Sequence, residues 1–255
     1  MKTYQELKYT EIFFASDKHG VLLNSLRSVV KSVAESFGVR ISLTEEAYFE
    51  NLFDRIEKNL IIQSKGVLHI GASFGQEANF YQSLNAKVLW IEAIPLVYEK
   101  LHLKCSLFQN QFAINALLGD ANREKVDFYL ASNNFESSSI FQFGRDFRSN
   151  KIMMNDQVEL PMFRLDSLEM PIPISNFGHW VIDVQGAELD VLKGCGNLIK
   201  DCQSLKIEVS TKEIYAQGTR WEELKSFLNS LGFLILWEPK EASHEDVIFI
   251  NTKRH

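Results

Sequence analysis

The sequence predicts an open α/β fold with a mostly parallel sheet, and three observations carry that prediction. From residue 66 onward, short apolar runs of strand length alternate with segments of helical periodicity, the pattern of a sheet covered by helices. The first run, Val67-Leu68-His69-Ile70, feeds a turn bearing Gly71 and Gly75 and then a polar segment with a helical pattern. A strand, a glycine turn and a helix in that order build a nucleotide pocket, because glycine admits close backbone approach and a helix N-terminus offers unpaired N–H groups. Finally, Glu92 ends the next apolar run at the ~20-residue spacing of a ribose-binding acid. The other reading of Glu92 is a cap on the helix that begins near Pro95.

Residues 1–65 read as an N-terminal helical extension, and 66–255 as the main domain. Val21, Leu22, Leu26, Val29, Val30, Val33 and Phe37 approach helical spacing, and Gly38 stands where that helix would stop. A second helix should begin at Ser42 or Thr44, with acids in its first turn and a stripe of Ala47, Tyr48, Leu52, Phe53, Ile56 and Leu60. The extension serves either as a lid or as packing on a sheet edge.

In the main domain the order is strand 67–70, helix 76–84, strand 87–92, helix 95–105 and strand 112–118. Strands over 125–131 and 158–165 flank a polar loop rich in Ser, Asn and Phe. A core strand over 179–184, a helix over 187–199 and a strand over 205–209 follow. The amphipathic helix over 220–231 ends at Gly232. Runs over 233–237 and 247–250 are joined without a helix, so they should pair antiparallel at the sheet's edge.

Composition narrows the function. The net charge of −6 disfavours a nucleic-acid partner, which normally meets a clustered basic face. The three cysteines, Cys105, Cys195 and Cys202, form no C-x-x-C, so neither a disulfide framework nor a cysteine zinc site is indicated. No apolar run reaches membrane-spanning length, and the first residues have no apolar signal region. A soluble protein of the cytoplasm is expected, with its oligomeric state open.

The glycine turn also discriminates between cofactors. Aligned on Gly71, a G-x-G-x-x-G pattern would need glycine at Ser73 and at Gln76. The second glycine lets backbone approach a pyrophosphate, so Ser73 disfavours a dinucleotide, and no triphosphate-binding G-x-x-x-x-G-K-[ST] occurs. A nucleoside-like cofactor without a diphosphate bridge remains.

Further motifs follow in a fixed order: His69-Ile-Gly-Ala-x-x-Gly75, Trp90-Ile-Glu92-Ala93, Asn115-Ala116, Ser137-Ser138-Ser139 and Leu165-Asp166-Ser-Leu168. Then come Ile182-Asp183-Val-Gln185-Gly186-Ala-Glu188-x-x-Val-Leu-Lys-Gly194 and Ile207-Glu208-Val. This set resembles the FkbM family of methyltransferases over about 66–255, most specifically in the Asp183–Gly194 block. The resemblance implies a class I methyltransferase with S-adenosylmethionine as cofactor and a seven-stranded Rossmann-like sheet. Three positions depart from the family's pattern: His69 where Asp is frequent, Ala93 where Pro is frequent, and Gln185 where Glu is frequent. The first and third lower the negative charge around a sulfonium cofactor.

Carried onto this sequence, the resemblance implies that Gly71, Ala72 and Gly75 border the methionine part of the cofactor, with His69 as a hydrogen-bonding wall of the same pocket and not a base. Glu92 and Ala93 would meet the ribose, and Asn115 and Ala116 the adenine, with Asp120 as an alternative partner for its amine. Asp183 lies beside the switch point, where cofactor and acceptor should meet. A hydroxyl needs a base to become a good nucleophile, and Asp183, Glu188 and Glu208 are the candidates. Capping or ion pairing is the other reading of each. The same three acids would be hard ligands for a divalent cation, although their spacing does not demand one and no metal is expected. Ser138, Ser139 and Gln185 are the candidate acceptor contacts, under a covering loop over 135–148. His179, at the far end of its strand, reads as structural. The expected activity is O-methylation of a sugar, glycan or related hydroxylated metabolite; the alternatives are an inactive cofactor-binding partner subunit and, disfavoured by Ser73, a nicotinamide oxidoreductase.

Overall fold

The computed structural model describes residues 46–239 and 244–254. The chain divides into two compact units, Met1–Gln63 and Ser64–His255. In the first unit, helix α1 (Glu46–Gln63) buries Leu52, Ile56 and Leu60, one face at four-residue spacing. The helix expected over 19–37, and the caps expected at Ser42 or Thr44, lie outside the described residues. Among the described residues no helix is long and apolar enough to cross a membrane.

The second unit begins with β1 (Val67–Ile70), α2 (Ala78–Ser83), β2 (Val88–Glu92), α3 (Pro95–Cys105) and β3 (Gln111–Asn115). Three strands then leave the main sheet: β4 (Leu117–Leu118), β5 (Arg123–Ala131) and β6 (Met154–Phe163). The chain returns through β7 (His179–Ile182), α4 (Glu188–Gly194), β8 (Ser204–Val209), α5 (Trp221–Leu231), β9 (Phe233–Ile235) and β10 (Glu245–Asn251).

Seven strands form one sheet in the order β3-β2-β1-β7-β8-β10-β9. The first five are parallel, whereas β10 runs antiparallel to both β8 and β9. The expected antiparallel edge pair is therefore present, with the last strand inserted inside the edge. Every residue of β1, β2 and β7 is buried, which is why these strands read as continuous apolar runs instead of alternating ones. Trp180, Leu205 and Ile207 pack with Trp221, Leu224 and Leu228 of α5 and with Leu189, Val191 and Leu192 of α4. Strand order reverses between β1 and β7, and this switch point opens a crevice at their carboxyl ends.

Four boundaries differ from the sequence expectation for identifiable reasons. The helix expected from 76 starts at Ala78, because positive φ at Ser73 and Gly75 prolongs the turn. The strand expected over 112–118 is two strands: Ala116 N–H still donates to Glu92 O (3.0 Å), and the chain then leaves the sheet to pair with β6. The strand expected over 158–165 is β6, which pairs with β5 from Met154 and gives way to a short 3-10 turn at Leu165. The helix expected over 187–199 breaks near Gly196, at φ +51°, into a 3-10 turn over Gly196–Asp201. The small β4-β6-β5 sheet contributes Leu117, Phe128 and Met162 to a second apolar cluster with Ile94 and Val97.

Candidate active site

The turn after β1 is held on three sides. Gly71 and Ala72 donate to Ile91 O at 2.9 and 3.1 Å, continuing the β1–β2 ladder past the strand. Gly71 sits at φ +81°, and a Cβ there would fall 1.7 Å from Asp183 O, so β1 and β7 meet more closely than any side chain allows. Lys104 Nζ donates to Gly75 O at 2.6 Å and closes the turn from α3.

Glu92 is buried at the end of β2 and joins two turns. Its Oε2 accepts from Ser73 N–H and its Oε1 from Ile94 N–H, both at 2.8 Å. Burial raises its pKa to about 7, against the pull of those backbone donors. Glu92 therefore holds the residue just before α3, although no side chain caps that helix itself. A ribose contact is compatible with it, since each carboxylate oxygen keeps a second lone pair. Beside Glu92 lies a slot of about 70 Å³ walled by Ala93, Ile94, Val97, Ala116, Leu117 and Phe128. It shares Gly71, Ser73, Asp183 and Gln185 with a cavity of about 400 Å³ that His69, Ala72 and Gln76 also border.

Past the switch point stands an acidic centre organised by Gln185. This residue adopts a left-handed backbone, φ +55°, immediately before Gly186 at φ +100°. Its Nε2 donates to Asp183 Oδ1 and to Glu208 Oε2 (2.9 Å), and its Oε1 accepts from Tyr215 Oη (2.6 Å). Burial, and then the charge of Glu208, push the Asp183 pKa well up. Glu188 is buried at the start of α4, where its Oε1 accepts from Gly186 N–H at 2.9 Å; burial raises its pKa to about 7. His244 Nδ1 lies 3.4 Å from Glu208 Oε2, and that contact raises the imidazole's pKa. Among the described residues no three His, Cys, Asp or Glu side chains converge as a metal site.

A third cavity of about 500 Å³ borders the same centre, sharing Glu208 and His244 with the 400 Å³ cavity. Gly186, Glu188, Tyr215, Thr219 and Trp221 form its inner wall. The 135–148 loop is stitched to this wall by backbone bonds and a serine hydroxyl. Gly144 N–H donates to Ile214 O at 2.7 Å, Ala216 N–H to Gln142 O at 2.8 Å, and Ser139 Oγ to Gln185 O at 2.7 Å.

The sequence-derived residues divide accordingly. His69, Gly71, Ala72, Glu92, Ala93, Ala116, Ser138, Asp183, Gln185, Glu188 and Glu208 line one or more of the three cavities. His69 stacks on Trp90 with ring centroids 4.7 Å apart, its Nδ1 3.2 Å from Tyr81 Oη, so it forms a wall. Gly75, Asn115 and Ser139 support walls without lining them: Gly75 packs on Leu101, and Asn115 Nδ2 donates to Glu92 O at 2.8 Å. Asp120 pairs with Arg123 at 2.8 Å. His179 is fully buried at the start of β7, with Nδ1 2.8 Å from Ser204 Oγ. Tyr215, Thr219 and His244 were not legible as site residues. The available signal was indirect: Gly186 and Gly218 leave no room for a Cβ beside Tyr215.

No curated protein matches the chain. Among solved structures it is similar to a SAM-dependent methyltransferase from Aquifex aeolicus, at 12% identity over 78% of this chain and 89% of that one, with a TM-score of 0.45. It is also similar to the magnesium protoporphyrin IX methyltransferase from Synechocystis with bound SAM, at 9% identity over 93% and 87% of the two chains, TM-score 0.42. A third is M. capricolum TrmK in complex with S-adenosylhomocysteine, at 10% identity over 78% and 67%, TM-score 0.42. Residues 69–235 match the family described as Methyltransferase FkbM domain, from the last half of β1 through β9 and including every cavity wall except His244; the chain belongs to the FkbM methyltransferase family.

Proposed function

We propose that the protein moves the methyl group of S-adenosylmethionine to a hydroxyl of a sugar, glycan or related hydroxylated metabolite. The observation that carries this reading is the meeting of the two large cavities at Glu208, with Asp183 beside them at the switch point.

The residues present fit the cofactor. Glu92 retains lone pairs for two ribose hydroxyls, and the apolar slot beside it suits a flat base. Gly71 keeps the floor free of side-chain atoms, and the carboxylate of Asp183 suits a neighbouring positive charge. When bound, S-adenosylmethionine supplies an electrophilic methyl on a sulfonium. Asp183 takes the proton of the acceptor hydroxyl, and its raised pKa makes it a stronger base than an exposed carboxylate. Tyr215, Thr219, Glu188 and Glu208 supply the polar wall against which a hydroxylated acceptor is held, with Ser138 and Gln185 on the cofactor side. Three buried free cysteines accord with the reducing cytoplasm as its setting.

The test is a panel of nucleotide-sugars and glycans incubated with methyl-labelled S-adenosylmethionine. Label should enter an acceptor, and Asp183→Asn should slow entry by about 10²–10⁴-fold, the range for loss of a general base. Calorimetry that detects no binding of S-adenosylmethionine or S-adenosylhomocysteine would overturn the reading.

A further inference from the structure

We propose that Tyr215 and Gln185 are positioning residues for the reaction: Tyr215 sets the direction of the Gln185 side-chain amide, and that amide holds Asp183 and Glu208 as one proton-accepting pair. The proposal rests on the reading of this centre as the place of methyl transfer.

An amide has two unlike ends, and only one orientation suits this place. The phenol of Tyr215 donates to Oε1 at 2.6 Å, so Nε2 faces the two acids and donates to both. Reversed, the amide would set its carbonyl oxygen against two carboxylates, and the phenol would be left to donate only to Ser137 O, at the longer distance of 3.3 Å. Tyr215 cannot easily turn away. A Cβ at Gly186 or at Gly218 would lie 2.9 or 3.0 Å from its Cβ, so two glycines let the residue seat there and close around it. Gln185 is equally constrained, its left-handed backbone braced by the hydroxyl of Ser139 on its carbonyl (2.7 Å). A left-handed non-glycine residue is costly, and it persists where its surroundings over-determine it.

The bridge matters because little else offsets the charge on Asp183. Facing Asp183 are Glu208 from β8, Glu188 from α4 and Asp246 from β10, all of them acids. Asp246 is paired with Lys206 at 3.2 Å, and Glu208 meets His244. Among the described residues, the Gln185 amide is therefore the donor that reaches both Asp183 and Glu208. Glutamate at this position would have the same size but no donor, and it would add another carboxylate to the centre. Each bridged acid keeps a second oxygen free for an acceptor proton.

The test uses the full chain labelled with ¹⁵N. The Gln185 side-chain amide should give two resolved signals protected from solvent, and these should titrate with the neighbouring acids. In Tyr215→Phe the protection should fall by at least about tenfold, because the amide carbonyl then has no donor and the two acids alone hold the side chain. Gln185→Glu should move the acidic limb of the kcat profile upward by about one pH unit or more, with a nucleotide-sugar that accepts label in the panel. The KM for S-adenosylmethionine should change less than about threefold in both variants. A Gln185 amide that exchanges freely in the unmodified protein, or an unmoved acidic limb in Gln185→Glu, overturns the proposal. If the signals behave as expected while no acceptor is ever labelled, the bridge stands and the assignment of the reaction fails.

Discussion

The backbone N–H of Ser73 donates to Glu92 Oε2 at 2.8 Å, fastening the turn after β1 to the end of β2. The other oxygen of the same carboxylate accepts from Ile94 at the start of α3, so a single buried acid sets three elements at the cofactor crevice. Glu92→Ala strips the partner from the buried N–H of Ile94 and the part-buried N–H of Ser73 and removes the proposed ribose contact. It should weaken S-adenosylhomocysteine binding by about 10–100-fold, the equivalent of about one hydrogen bond to a charged group. Titration calorimetry reads this directly, and Glu92→Gln, which can accept at only one oxygen, should fall between the two.

Gly71 is required by backbone approach alone. At φ +81°, with Asp183 O at 1.7 Å from an added Cβ, Gly71→Ala must push apart the ends of β1 and β7. The strained φ costs about 1 kcal/mol or more by itself, and the collision adds to it, so a loss of about 3 kcal/mol or more is expected in urea denaturation. Gly75→Ala should cost less. Its added Cβ meets Leu101 Cδ1 at 2.7 Å, the end of a side chain that can move.

Stability should fall as pH rises toward neutrality. Glu92 and Glu188 both hold pKa values of about 7 in the folded protein, against an ordinary carboxylate value of 4.5. The folded state therefore binds protons more tightly than the unfolded chain. This contribution is fully present below about pH 4.5 and is lost between there and about pH 7. A shift of this size corresponds to about 3 kcal/mol per group at most. Thermal melting of the ligand-free protein from about pH 5 to about pH 8 should show a declining Tm, and Glu188→Gln should flatten the slope. A Tm that climbs over this range would contradict the buried, proton-binding state of these acids.

The parts of the fold that were legible are those governed by burial and by local backbone needs. β1, β2 and β7 are buried on both faces and so appear as unbroken apolar runs. Gly71 and Glu92 stand at a spacing set by one strand–helix–strand passage, which places them together before any tertiary contact is known. The proposed acceptor side was less legible because it is assembled from loops. Tyr215 reaches Gln185 across the sheet's carboxyl edge, and the 135–148 segment is held by backbone bonds to 213–216. Backbone pairing between loops leaves no periodicity, and His244 arrives on the approach to the antiparallel β10. Gln185 shows the same limit in another way. As a residue type it reads as an acceptor contact, whereas its left-handed backbone turns the amide onto Asp183 and Glu208.

Thr219 offers a test of how that loop supports α4. Its Oγ1 donates to Gly186 O at 2.9 Å and accepts from Leu189 N–H at 3.1 Å, and its own N–H donates to Gly186 O at 2.7 Å. A residue 30 positions away thus caps the first turn of α4, since Ala187, immediately before it, has no hydroxyl or carboxylate to do so. Thr219→Val keeps the shape and removes both side-chain bonds, which should cost about 1–2 kcal/mol, the range for a lost N-terminal cap. Because the same helix carries Glu188 beside the proposed acceptor cavity, the loss should not be confined to stability. Acceptor KM should rise several-fold while S-adenosylhomocysteine affinity changes little, because Glu92 and the β1 turn lie on the other side of Asp183. Steady-state kinetics together with calorimetry separate the two. An equal weakening of acceptor and S-adenosylhomocysteine binding would mean that Thr219 stabilises the crevice as a whole and not the acceptor wall.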